Sequence, residues 1–249
     1  MRIAVISDIH GNLAALEAVT ADLRLRAVDQ VVNLGDSLSG PLLPKETADF
    51  LMAQAGWIHL AGNHERQILE LNERSGHGDT YAHQQTTAEQ KAWMAGLKPV
   101  LQLNAEVLLC HGTPASDTTT LLQVADRNAT AQEINDRLGQ QTAAVIACGH
   151  SHVARSVRTA AGQLIVNPGS VGHPAYEYDY PYPHKIESGS PDARYAILEK
   201  MQHGWTASLV NVPYAWQHMA ELAALRGREE WVSALQSGYV NQASHDVSH

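Results

Sequence analysis

Residues 144–154 read AVIACGHSHVA: an apolar run that stops at Gly149, followed by two histidines one residue apart. In extended backbone, residues i and i+2 point to the same side. His150 and His152 can therefore reach one target, or two targets lying close together. Two readings stand at this point. One is a histidine-rich turn in a chain with 14 histidines; the other is a metal site.

The neighbouring pattern bears on the choice. Four more short apolar runs come earlier, at 2–7 (RIAVIS), 30–34 (QVVNL), 57–61 (WIHLA) and 106–110 (EVLLC). Helix-like segments fall at 12–26, 44–55, 64–74, 86–96 and 130–139; in the first, Leu13, Leu16, Val19 and Leu23 recur at helical spacing. Continuous apolar strands separated by helices predict an α/β fold whose sheet is covered on both faces. The runs at 164–167, 194–199 and 206–212 have no long helix between them and predict an antiparallel part. A helix pair is expected over 214–225 and 228–236. A single domain over 1–238 is expected, with a polar tail, 239–249, expected to be disordered.

Each of the first five strands delivers a polar side chain at its carboxyl end. They are Asp8 and His10, then Asp36, then Asn63 and His64, then His111, then His150 and His152. In open α/β sheets that edge is where ligands bind. Gly35, Gly62, Gly112 and Gly149 permit sharp exits and close backbone approach there. Asp8, His10, Asp36, Asn63, His111, His150 and His152 make seven nitrogen and oxygen donors with no thiolate among them. Seven exceeds what one tetrahedral zinc site uses, but suits two ions sharing a ligand. Mixed imidazole and carboxylate donors favour Mn, Fe, Zn or Co over calcium. Two-metal sites clamp the attacking and leaving oxygens of an in-line displacement.

Composition narrows the remaining classes. A formal net charge of −9 argues against a broad nucleic-acid surface. No apolar run approaches the roughly 18 residues of a membrane span. The N-terminal run Ile3–Ile6 is too short for a signal-peptide core, so a cytoplasmic location is the default expectation. The two cysteines, Cys110 and Cys148, form no disulfide framework and read as small core residues.

The blocks DIH (8–10), GD (35–36), GNH (62–64), HG (111–112) and GHSH (149–152), in this order, resemble the calcineurin-like metallophosphoesterase superfamily. VNPGSVG (166–172) followed by ARYAILE (193–199) is similar to its small bacterial and archaeal phosphodiesterase branch. The resemblance implies a four-layer αββα sandwich: two stacked mixed β-sheets flanked by helices. It implies two metal ions, manganese or iron favoured, with Asp8, His10 and His152 holding the first. Asn63, His111 and His150 would hold the second, with Asp36 bridging. His64 would contact the phosphate and protonate the leaving group while a hydroxide bridging the ions attacks in line. Two divalent ions against two carboxylates leave the site cationic, so an acidic chain can still bind phosphate.

The implied activity is hydrolysis of a small phosphodiester or nucleotide. Diadenosine polyphosphate hydrolysis and phosphomonoester hydrolysis are the enzymatic alternatives, and a metal-dependent scaffold the non-enzymatic one. Protein phosphatases of the superfamily carry Asp-Arg-Gly after their GD, where this chain has Ser37-Leu38-Ser39. That departure counts against a protein phosphatase and leaves His64 without its usual orienting aspartate. Asn12 and Arg66 are candidate substrate contacts, with a helix cap the plainer reading of Asn12. Glu65 reads as a helix-start residue. His77 and His83 fall in a stretch expected to be a loop. The segment 173–193 holds Tyr176, Tyr178, Tyr180 and Tyr182, which can stack on a base, line a surface loop or form a homo-oligomer contact; Tyr176 is the candidate substrate residue among them.

Overall fold

The computed structural model describes residues 1–179 and 182–240. Tyr180 and the tail beyond 240 lie outside the described residues. The strands are β1 (Arg2–Ile6), β2 (Gln30–Asn33), β3 (Ile58–His59), β4 (Val100–Gln102), β5 (Val107–Cys110), β6 (Gln123–Val124) and β7 (Arg127–Asn128). After them come β8 (Val145–Ala147), β9 (Arg155–Arg158), β10 (Leu164–Asn167), β11 (Ala175–Tyr178), β12 (His184–Glu187), β13 (Ala193–Met201) and β14 (Gly204–Val212). The helices are α1 (Leu13–Leu23), α2 (Pro44–Met52), α3 (Asn63–Leu69), α4 (His77–Gln85), α5 (Ala88–Ala95), α6 (Ala131–Leu138), α7 (Gln217–Leu225) and α8 (Glu229–Ser237).

Two five-stranded mixed sheets stack face to face. The first has the order β14-β13-β1-β2-β3, the second β4-β5-β8-β10-β9. β1, β2 and β3 run parallel, as do β5, β8 and β10, while β13 pairs antiparallel with β1, β14 with β13, β4 with β5 and β9 with β10. The period of two along each strand assigns its side chains to layers. Ile3 and Val5 of β1 point between the sheets, where they meet Val107, Leu109, Val145, Ala147 and Val166 of the second. Ala4 and Ile6 point the other way and pack with Leu16, Val19 and Leu23 of α1. On the far side, Leu108, Ile146 and Ile165 pack with Ile134 and Leu138 of α6. This is the αββα sandwich.

The structure adds elements that the pattern does not announce. The stretch around His77 and His83, expected to be a loop, carries helix α4. Its apolar content is low, and only Asp79 and Ala82 are buried. The tyrosine-rich segment is a hairpin of β11 and β12, with Tyr176 opposite Ile186 and Tyr178 opposite His184. Val240, within the tail expected to be disordered, is buried, and its N–H donates to Glu187. Among the described residues, no helix is long and apolar enough to cross a membrane.

One histidine away from the strand-end cluster carries a pH prediction. His59 of β3 packs beside Trp57 and Trp93. Burial pushes its imidazole down to about 4, against about 6.5 in the unfolded chain. As pH falls through that window the unfolded chain takes up the proton first, so stability declines between about pH 6.5 and 4. Urea unfolding at pH 7 and pH 4.5 is expected to show a smaller loss in His59→Leu than in the unsubstituted protein, by about 2 kcal/mol. Equal losses in the two proteins contradict this.

Candidate functional site

All seven sequence-selected donors gather at the carboxyl ends of β1, β2, β3, β5 and β8. Asp8, His10, Asp36, Asn63, His111 and His152 are buried, and His150 is partly so. Seven non-glycine residues among those described have positive φ, and five of them are Asp8, His10, Asp36, His150 and His152. Left-handed backbone is uncommon for such residues and costs about 1–3 kcal/mol each. The surrounding hydrogen bonds hold it in place: Asp8 N donates to Gly35 O, His10 N to Asp36 O, and His150 N to Asp8 Oδ2.

Two glycines make room for the carboxylates. A Cβ on Gly62 would lie 2.2 Å from Asp36 Oδ1, and one on Gly149 would lie 2.9 Å from Asp8 Oδ2 and 2.1 Å from Ser7 Oγ. Both positions follow a strand end, as the sequence pattern required.

The imidazole tautomers are fixed from behind. His10 Nδ1 donates to Ser39 O (2.7 Å), His152 Nδ1 to His173 O (2.8 Å) and His111 Nδ1 to Leu34 O (3.0 Å). That leaves each Nε2 with its lone pair facing the cluster. His10 Nε2 and His152 Nε2 are 3.2 Å apart; two lone pairs at that distance repel unless a cation lies between them. The spacing matches two imidazoles on one ion with bonds of about 2.1 Å. His150 is fixed the other way round, with Nε2 donating to Thr118 O at 3.0 Å, so its Nδ1 is free.

Three buried atoms here have no hydrogen-bond partner: Asp8 Oδ1, Asn63 Oδ1 and His111 Nε2. His111 Nε2 lies 2.9 Å from Asp36 Oδ2 without the alignment of a hydrogen bond. Asn63 Nδ2 donates to Gln67 Oε1, which turns its carbonyl oxygen inward. Buried polar atoms are normally satisfied, so orphaned atoms on residues at these strand ends, with Asp8 Oδ1 and His111 Nε2 4.0 Å apart, indicate a missing electrophile. Three overlapping ligand groups meet there: Asp8 with His10 and Asp36, Asp36 with His111 and His150, and His10 with His152 and His173.

The electrostatics agree. Burial opposes ionisation of Asp8, but His152 and His111 outweigh it and hold its carboxyl down at about 2. Burial likewise opposes charge on His111, yet Asp36 and Asp8 lift it to about 10. Burial keeps His10 down at about 3 and His150 at about 4, so both stay neutral and able to ligate. The buried carboxylates draw in positive charge, and metal ions supply it in place of protons.

His64 stands at the rim. Its backbone N–H donates to Asp36 Oδ1 (2.8 Å), and its Nδ1 lies 2.7 Å from Asp79 Oδ1. Asp79, buried on α4, therefore fills the role of the aspartate missing after Gly35-Asp36, and the expected absence of an orienting partner is corrected. Burial alone would lower the pKa of His64, but Asp36 and Asp79 raise it to about 9. Sequence reading missed Asp79 because it lies in a turn-like stretch. Sequence reading also gave Glu65 too small a part. Its fully buried carboxylate accepts from the N–H groups of Asp36 (2.8 Å), Ser37 (2.8 Å) and Gly62 (2.7 Å).

The substrate candidates fare differently. Asn12 is fully committed: Oδ1 caps α1 through Ala15 N, and Nδ2 donates to Gly172 O and Tyr214 Oη. Both of its amide N–H groups are thus engaged inside the protein, which favours the helix-cap reading over a substrate contact. Arg66 is paired with Asp117 through Nε and Nη2 rather than extended toward the cluster. Tyr176 does reach the site, its ring edge-on to His152 at 4.9 Å.

A family model described as the calcineurin-like phosphoesterase superfamily domain matches residues 1–182. The chain belongs to that superfamily. Uncharacterized protein MJ0912 of Methanocaldococcus jannaschii is 26% identical to this chain, over 92% of this chain and 95% of that protein. The crystal structure of a metallophosphoesterase from Sphaerobacter thermophilus superposes with a TM-score of 0.75 at 24% identity, covering 96% of this chain and all of that one. Hypothetical protein PH1004 of Pyrococcus horikoshii OT3 gives 0.72 at 15% identity, covering 96% and 99%. These likenesses span both sheets and the C-terminal helices. The superfamily is metal-dependent, and the chain carries candidate metal-ligand groups that fit that requirement.

Proposed function

We propose that the protein hydrolyses a small phosphodiester or nucleotide at a two-metal centre. Asp8, His10 and His152 would hold one ion, Asn63, His111 and His150 the other, and Asp36 would face both. The observation that carries this reading is the set of overlapping ligand groups on Asp8, His10, Asp36, His111, His150 and His152, in which the buried Asp8 Oδ1 and His111 Nε2 have no hydrogen-bond partner. When bound, such ions supply Lewis acidity to the phosphoryl oxygens and a source of hydroxide at neutral pH.

The protein's own residues do the rest. The carbonyls of Ser39, His173, Leu34 and Thr118 hold the four imidazoles in their ligating tautomers. His64 delivers a proton from Nε2 to the departing ester oxygen as the oxygen of water joins phosphorus. Asp79 orients the ring and, together with Asp36, keeps it protonated near neutral pH. Asp79→Asn is expected to lower kcat by about tenfold to a hundredfold, part of what a general acid contributes. Metal content and KM should hold. A variant with unchanged kcat removes Asp79 from the mechanism.

A nucleotide is favoured over other esters by the hairpin. Tyr176, Tyr178 and Tyr182 all place their rings within 6.2 Å of His184, and Tyr176 also touches His152. Aromatic groups leading away from a phosphate site suit a base, which keeps diadenosine polyphosphates as a second reading. The test is metal analysis followed by a manganese-supplemented panel: a bis-aryl phosphodiester, an aryl monophosphate, cyclic nucleotides and diadenosine tetraphosphate. If none is cleaved by protein carrying two ions, the enzyme reading fails. Preference for the aryl monophosphate overturns the diester assignment alone.

A further inference from the structure

We propose that His173, at the start of the hairpin segment, is an additional ligand of the first ion. The inference rests on the two-metal reading above. His173 is bound to the site through its backbone before its side chain is considered. Its N–H donates to Ser170 Oγ (2.8 Å), Ser170 Oγ donates to Asp8 O (2.7 Å), and its carbonyl accepts from His152 Nδ1 (2.8 Å). The residue is thereby tied to two of the expected ligands.

The side chain is held just as firmly. Its imidazole lies flat on the indole of Trp231, with centroids 3.8 Å apart and planes 2° from parallel. It stands 5.2 Å from the His10 ring and 5.5 Å from the His152 ring. One nitrogen from each of these three histidines lies within 4.8 Å of the other two. His10 also belongs to the group with Asp8 and Asp36, so His173 joins the first ion rather than the second. A role confined to packing on Trp231 would not require an imidazole, nor a nitrogen within 4.8 Å of one on His10 and one on His152.

The consequence is chemical. With His173 the first ion would have three imidazoles and two carboxylates; without it, two of each. Imidazole suits zinc and iron, whereas carboxylate-rich sites suit manganese and magnesium. His173 thus biases the first position toward zinc or iron.

His173→Phe separates the two roles, since phenylalanine can keep the stack on Trp231 but offers no lone pair. Metal-free wild type and variant are titrated with zinc and with manganese against a chromophoric chelator, and the visible spectrum of the cobalt-loaded forms is recorded. The variant is expected to keep two ions, to lose about 10–100-fold in zinc affinity at one of them, and to lose less for manganese. Its cobalt spectrum should change. Unchanged zinc affinity and cobalt spectrum overturn the inference while leaving the two-metal reading intact. A wild-type chain that takes up fewer than two ions overturns both. Should the variant fail to fold, a crystal structure of zinc-loaded wild type decides. An ion within about 2.3 Å of a His173 nitrogen supports the assignment; one bound by His10 and His152 but well beyond that distance refutes it.

Discussion

His64→Ala is expected to lower kcat by about 10²–10⁴-fold, the contribution of a general acid, with metal content unchanged. The two halves of this result come from different atoms. The side chain contributes the proton, because Asp36 and Asp79 outweigh burial and raise its pKa to about 9. The backbone N–H contributes the 2.8 Å hydrogen bond to Asp36 Oδ1, which alanine keeps. Metal loading should therefore survive while turnover does not. The loss should be greatest for esters with poor leaving groups, since an alkoxide needs the proton more than a nitrophenolate does. The measurement is kcat against leaving-group pKa for the two proteins, alongside metal analysis. Parallel lines, or a loss of metal in the variant, would remove His64 from the acid role.

Glu65→Ala is expected to cost about 3–5 kcal/mol of stability. The carboxylate is completely buried and satisfies three backbone N–H groups, from Asp36, Ser37 and Gly62. Those donors sit on the exits of β2 and β3, so one side chain ties together two strand ends. Removing it orphans all three, each worth about 1–3 kcal/mol before relaxation. For a chain of this length the loss corresponds to a fall in Tm of roughly 6–20 °C. Asp36 would be released from its position at the same time, so metal uptake should weaken. Urea denaturation reads the first effect and chelator competition the second. A midpoint within the error of wild type would show that water replaces the carboxylate.

How much of this was legible in the sequence differs from residue to residue. The seven donors could be read because each follows an apolar run and four of the five strand exits carry a glycine. That local pattern survives without knowledge of the fold. Asp79, Glu65 and His173 could not be read in the same way. Asp79 meets His64 only after α4 has packed beside α3, and the composition of His77-Gly78-Asp79 suggests a turn. Glu65 looks like an ordinary first-turn acid of α3, and nothing nearby says that its carboxylate faces inward. His173 joins the cluster through long-range contacts: its carbonyl meets His152, and α8, nearly 60 residues later, sets Trp231 against its ring. Asn12 shows the opposite case: a residue adjoining the site whose side chain caps α1 and donates to Gly172 and Tyr214.

The pairing of β1 with β13 has a consequence for how far this site can be cut down. Every sequence-selected donor lies before residue 153, and the superfamily match ends at 182. A fragment stopping there would still hold the complete list of donors. It would also leave β1, the strand that delivers Asp8 and His10, as a bare sheet edge, and it would remove the indole that His173 rests on. The candidate donors lie in the first two-thirds of the chain, while β13, which pairs with β1, and α8, which carries Trp231, lie in the last third. Shortened or grafted versions of this centre would therefore have to carry β13 and α8 along with it.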